Sequence, residues 1–300
     1  MRVSNAAYAE GRIRLRELAF EGYWPHAHDP IGSMEDLDAA KLPWIRAFHQ
    51  TYYAPNNAVL TVAGDFEPSS TLQLIGRFFG DARPAEVPNY NPPPMPVQTK
   101  PRSVELVDAN AKTPGVFQGY VIPRSRSAEH YALELATVVL GFGDSSVLHE
   151  KLVRDEALLR DIGVWTYDHR GPDLLVFQAL LTERASVQQV QKRLDEEIAI
   201  LATSGPTNAQ LDKAKQRLQS FFLFGLEGNL ERATQLSNYE LFWGDASLLN
   251  GELDRYFAVT PSQVRAAVAE YLAPARKNTV IVLPVQPPTP PSANAIPSPK

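Results

Sequence analysis

The feature that most constrains this chain is a unit of helix, Ala-Pro turn and apolar strand that occurs twice, once near each end. In the first copy, residues 34–68 read MEDLDAAKLPWIRAFHQTYYAPNNAVLTVAGDFEP. Pro43 suits the first turn of a helix, where its missing N–H costs nothing, and Ile45, Phe48 and Tyr52 recur at helical spacing to give one apolar face. Ala54-Pro55-Asn56-Asn57 stops that helix, because the residue before proline is pushed out of the α region and asparagine tolerates turn geometry. Ala58 to Ala63 then reads as a strand, and its near-continuous apolar run predicts burial on at least one face. A further helix follows, with Leu72, Ile75 and Phe79 on one side. In the second copy Thr260-Pro261 opens a helix with Val264, Val268 and Tyr271 inward, Ala273-Pro274 stops it, and Asn278 to Leu283 is the strand. Two such units predict two homologous domains in tandem.

The same residues carry a family resemblance. LDAAKLPWIRAFHQTYYAPNNAVLTVAGDF resembles the block that closes the first domain of each subunit in the M16 zinc metallopeptidases, the family of pitrilysin, insulinase and mitochondrial processing peptidase. LGFGDSSVLHEKLVRDEALLRDIGV (Leu140 to Val164) is similar to that family's "LGGG-SSRL-LREE-GL-Y" helix and strand, and LDRYFAVTPSQVRAAVAEYLAPARKNTVIVLP to its C-terminal block. The resemblance covers nearly all of residues 1–285 and implies an α+β fold of two tandem domains, each an antiparallel-rich sheet covered by helices.

Against that pattern the first domain is short. Ala273 lies about 170 residues after Ser103, where the second domain starts, whereas Ala54 lies 53 after Met1, so equivalence of the copies predicts a first domain truncated at its N-terminus. Residues 1–80 are expected to be the C-terminal part of that domain. Ala6 to Phe20 can form its helix, weakened by Gly11; 22–32 is a loop, and Ser33 with Asp36 fits a capping box. Residues 81–102 form a proline-rich, semi-rigid linker. A complete second domain is expected over 103–285. Strands are read at 103–108, 115–122, 162–167 and 174–181, with a helix from Ala128 to Leu140 and capping-box patterns at Ser186/Gln189 and Thr207/Gln210 opening two more. Strands followed by helices in this order give an α+β sandwich. The tail, 286–300, is proline, serine and alanine without apolar periodicity and is expected to be disordered.

Composition narrows the function classes. A net charge of −5 leaves no basic footprint for nucleic acid, and the absence of cysteine removes thiol catalysis and thiolate metal sites. No run approaches 18 apolar residues, and the first five residues lack the apolar core of a signal peptide. The resemblance implies a bacterial setting, periplasmic before cytoplasmic.

In the M16 family the zinc site is an inverted H-x-x-E-H on a helix early in the first domain, with a further Glu ligand later. This motif puts two histidines on one helical face and a glutamate beside metal-bound water as general base. This sequence has no H-x-x-E-H. Its six histidines are His26, His28, His49, His130, His149 and His169, none paired with another at helical ligand spacing. The loop His26-Ala27-His28-Asp29 offers two ligands but needs a third from elsewhere. His130 and His149, beside Glu129 and Glu150, are expected on exposed helix faces. No cofactor is expected on this chain, and zinc is placed in a parent protein or partner.

The resemblance also implies a substrate contact. Active M16 assemblies often use an Arg and, seven residues on, a Tyr from the C-terminal half; Arg170 stands in a similar hairpin position, with Phe177 in the partner position. An arginine fork can hold a peptide carbonyl or carboxylate, while Phe lacks the hydroxyl that would hold a developing oxyanion. The competing reading of Arg170 is a solvated turn residue paired with Asp168 or Asp173. The expected function is the substrate-cradling C-terminal portion of an M16 zinc endopeptidase, inactive alone. The alternative is a non-catalytic partner subunit of the same fold. Either way the partners are peptide or protein substrates and an M16 subunit carrying H-x-x-E-H, or a second copy of the chain.

Overall fold

The computed structural model describes residues 6–30 and 32–285. Its centre is a five-stranded sheet in the order β1-β5-β2-β4-β3, formed by β1 (Arg102–Asp108), β2 (Gly115–Ile122), β3 (Leu159–Thr166), β4 (Asp173–Leu181) and β5 (Asn278–Pro284). The β1–β5 pair is parallel, with Val104 opposite Val280, and the other pairings are antiparallel. The strands read from the sequence in 103–285 all form, with ends displaced by up to three residues.

Alternation along β4 shows why its run is almost continuously apolar. Leu175, Phe177, Ala179 and Leu181 face one core, while Leu174 and Val176 face a second core on the other side of the sheet. Both faces are covered, so both sets of residues leave water. The first face lies under α5 (Ala128–Gly141), α6 (Val187–Ser204) and α10 (Pro261–Tyr271). Tyr131, Leu135, Leu194, Val264 and Val268 fill this layer, each such side chain contributing about 1.5–3 kcal/mol of burial. The helices start where the sequence caps them. Thr260 and Gln263 make a full capping box, as do Thr207 and Gln210 at α7 (Asn208–Phe224), and Ser186 accepts from the Gln189 N–H. Between α5 and β3 the chain takes a π-helical turn, His149–Asp155.

The second face is covered by α1 (Ala9–Ala19). Leu15 and Ala19 are buried against the sheet, and the Tyr8 N–H donates to Asp108 at 2.7 Å, anchoring the helix start to the end of β1. Gly11, a weak helix former in the sequence, is required by this packing. A Cβ there would lie 2.6 Å from Val282 Cγ2 and 3.3 Å from Phe117 Cε2, so only a glycine lets the helix approach this closely. Residues expected with the first domain thus complete the core built on 102–284.

The expected tandem arrangement is not formed. The chain shows one α+β domain of sheet and helices, and among the described residues no second sheet accompanies it. Helices α2 (Met34–Ala39), α3 (Leu42–Tyr52) and α4 (Pro68–Phe79) do form, α2 with the expected Ser33 cap, but none has a buried residue. Ala58 to Ala63, expected as a strand, is unpaired. The physical reason is visible in the second copy, where β5 exists because β1 and β2 flank it. Without neighbours an apolar segment has no ladder to join, and Leu60 stays 57% exposed.

The linker lacks helix and strand over 83–99, and its end is tied down where Gln98 accepts from the Asn278 side chain at 3.0 Å. The tail expected to be disordered, 286–300, lies outside the described residues. The remaining α-helices among the described residues are α8 (Asn229–Trp243) and α9 (Glu252–Phe257).

Candidate functional site

The turn joining β3 to β4 meets α5 at a buried network of ionisable side chains. Asp173, the first residue of β4, is fully buried and accepts from the backbone N–H groups of Asp168 and Leu174 at 2.9 and 2.7 Å. His130, in the first turn of α5, brings Nε2 to 3.0 Å from Asp173 and Nδ1 to 3.3 Å from Glu134. His169 adds a third contact, its Nδ1 3.0 Å from Asp173. Burial alone lowers the His130 pKa, but its two carboxylate neighbours outweigh burial and raise it to about 10. Burial would raise Asp173, yet His130 and His169 hold it well below the usual carboxylate range. His130 is therefore a buried cation and not the surface residue expected. Its i+4 relation to Glu134 was readable in the sequence; its approach to Asp173 was not.

Beside this network the ring of His26 stacks on His169 at 4.7 Å, with Phe20 edge-on at 5.0 Å. Burial and the neighbouring His169 lower the His26 pKa. The loop after α1 is thereby fastened to the β3–β4 turn.

Arg170 and Phe177 end up apart. Arg170 is exposed at the tip of the turn, its guanidinium 5.3 Å from the Tyr90 ring centroid. Neither carboxylate considered as its partner is engaged with it: Asp168 takes the Ser125 hydroxyl, and Asp173 the two histidines. Phe177 is fully buried and edge-on to Tyr120 at 6.1 Å, so it has no surface to offer a substrate. The seven-residue spacing carries β4 from the turn into the core, which is why the two cannot act together. Next to the turn runs an open groove of about 380 Å³, lined by Met95, Val121, Arg124, Gly171, Pro172 and Arg276 among others. It has apolar walls and arginines at its edge, a surface suited to an extended peptide.

The donors do not suit zinc. His26 is stacked on His169, His28 Nδ1 is 2.8 Å from the Trp24 carbonyl, and Asp29 pairs with Arg16, so the H-x-H-D loop sends its groups in three directions. Among the described residues no three His, Asp or Glu side chains are grouped to hold a metal ion.

Residues 43–218 match the profile of the family described as the peptidase M16 inactive domain. The chain belongs to the M16 peptidase family. The zinc protease PqqE of Helicobacter pylori is 25% identical over 264 residues, covering 87% of this chain and 59% of that protein. A crystal structure of a protease from Helicobacter pylori superposes with a TM-score of 0.86 at 24% identity, over 94% of this chain and 68% of that one. The M16 inactive domain from Pseudomonas fluorescens gives 0.77 at 18% identity, over 94% of this chain and 67% of that one. These structural likenesses concern the fold. The chain spans 53–59% of the length of three curated relatives, each called a zinc protease. Within the M16 family, then, this chain has the inactive-domain fold and no grouping of metal donors among its described residues.

Proposed function

We propose that this chain is the non-catalytic, substrate-cradling portion of an M16-type zinc metalloendopeptidase, with the zinc held on a polypeptide that carries H-x-x-E-H. The observation that carries this reading is the match of residues 43–218 to the family's inactive domain. The open groove beside the β3–β4 turn supplies the cradle, and Arg170, exposed at the tip of that turn, supplies a fork for a peptide carbonyl or carboxylate. Phe177 has no part in it.

The partner is argued from the internal repeat. In the second copy Val264, Ala267 and Val268 of α10 are buried under neighbouring helices, whereas in the first copy Ile45 and Phe48 are 56% and 58% exposed. Trp44, Leu72, Phe78 and Phe79 extend this apolar surface. So large an exposed face marks a docking surface. Its occupant is a polypeptide able to supply strands beside 58–63 and a helical cover for α3, as an M16 chain with the zinc motif would. This face equally favours a second reading, a non-catalytic partner subunit that contributes contacts and no substrate groove.

The test is to mix the chain with an M16 polypeptide bearing H-x-x-E-H. A complex on gel filtration at micromolar concentration is expected, together with chelator-sensitive peptide cleavage by the mixture only. Cleavage by the chain alone, with one equivalent of zinc by elemental analysis, would sink the proposal. A complex in which R170A alters neither KM nor peptide binding would favour the second reading.

A further inference from the structure

Helix α8 has no buried residue, yet it stands over a cavity of about 280 Å³ whose other walls come from α5, α7, α9 and the loops at Ser125 and Asp168. One wall is aromatic, with Phe221 and Phe222 from α7 and Tyr239, Phe242 and Trp243 from α8. The opposite wall is ionic. Glu252 takes the Tyr131 hydroxyl at 2.7 Å and pairs with Arg126, and Glu134 accepts from the Tyr256 hydroxyl. Asp168 is held by the Ser125 hydroxyl.

The charges around this cavity do not balance. Glu134, Asp168, Glu252 and, behind His130, Asp173 are acidic; the basic groups paired with them are Arg126 and His130, with His169 against Asp173 outside the cavity lining. Arg126 is committed to Glu252, and His130 is shared between Asp173 and Glu134. Asp168, partly open to solvent, accepts from the neutral Ser125 hydroxyl, and its pKa is raised, chiefly by desolvation with Glu134 and Asp173 adding to it, against the opposing pull of Ser125 and His130. The aromatic wall already accepts a cation: the Arg126 guanidinium lies 5.3 Å from the Tyr239 ring centroid and 5.9 Å from that of Trp243. Arg126 and Asp168 both hold the left-handed backbone region, at φ 64° and 60°, an uncommon conformation for arginine. An anion entering here would meet carboxylates, with the one arginine already engaged.

We propose that this cavity binds an organic monocation, a primary ammonium or guanidinium on a short aliphatic stem, with Glu134 and Asp168 as its countercharges and the α7–α8 aromatic wall around its stem. The volume is at the lower limit of ligand pockets and fits one side chain, not a drug-sized molecule. Such a cation has two sources, a free alkylamine or a Lys or Arg side chain of a peptide. The site is separate from the groove beside Arg170 and does not depend on the proposed cradle.

The test is calorimetric titration of the full chain with agmatine and with pentylamine, using pentan-1-ol as the uncharged counterpart. Saturable binding of both cations is expected, with none for the alcohol. Affinity should fall at least tenfold in D168N and in E134Q and stay unchanged in E183Q, an exposed position outside the cavity. D168N keeps the fold within reach, since asparagine tolerates this φ and its carbonyl can still accept from Ser125. F242L, on a helix with no buried residue, tests the aromatic wall at a position that lines the cavity and is not the ring under Arg126, and should also weaken binding. Tighter binding of a blocked Ala-Lys-Ala peptide than of pentylamine would assign the peptide source, and the reverse the free amine. The proposal is overturned if the cations bind no better than pentan-1-ol, or if D168N and E134Q bind as the native chain does.

Discussion

His130 Nε2 lies 3.0 Å from Asp173 Oδ2, and both side chains are out of solvent. The pKa of His130 is raised, so its contribution to stability is complete below the ordinary histidine value of about 6.5 and is lost as pH climbs towards about 10. The pKa of Asp173 is depressed, so its contribution is complete above about 4 and is lost in strong acid. The pair therefore stabilises the fold most between these limits. Urea unfolding of the native chain and of H130Q should differ most near about pH 5 and converge steadily towards about pH 10. D173N should cost about 3–5 kcal/mol, because it leaves His130 charged and buried. A difference independent of pH would show His130 to be neutral in the folded chain.

Gly11 sits where a side chain would strike the sheet. Gly11→Ala gains about 1 kcal/mol of helix propensity but overpacks a site closed by Val282 and Phe117, at a cost of about 1–3 kcal/mol. A net loss of stability, read as a lower urea midpoint with unchanged slope, is expected. A gain would mean that α1 can slide off Val282 without penalty.

Arg170 and Phe177 should separate by experiment as they do in space. Arg170→Ala, at an exposed turn, should leave stability within about 0.5 kcal/mol while weakening peptide binding. Phe177→Ala empties a fully buried site and should cost about 3–5 kcal/mol. A stable Phe177→Ala protein that has lost only peptide binding would contradict the buried position.

The two copies of the repeat should exchange their amide hydrogens at different rates. Val280 to Val282 are paired on both sides and Leu283 with β1, whereas Val59 to Val62 are in no ladder. Hydrogen exchange in the isolated monomer should be faster at 59–62, and binding of a partner across α3 should slow it. Equal protection of the two stretches in the monomer would mean that 58–63 is already in a ladder.

What the sequence determined by itself was local. Thr207/Gln210 and Thr260 with Pro261 started helices where the structure starts them, because a cap acts within four residues of itself. The alternation and apolar runs of β2, β4 and β5 announced strands, and the resemblance named the family. The tertiary structure alone decided what depends on residues far apart in the chain. Ala58 to Ala63 has the composition of a strand, but a strand is a pairing, and among the described residues no strand lies beside it. Phe177 shares a helpful spacing with Arg170, but β4 turns it into the core. Asp173 and His130 look like ordinary surface charges in the sequence and become a buried ion pair, because β4 and α5 meet across 43 residues of chain. Charge and apolarity are properties of a residue, whereas burial and partnership are properties of its surroundings, and those exist only once the sheet has closed between α1 on one face and the layer of α5, α6 and α10 on the other.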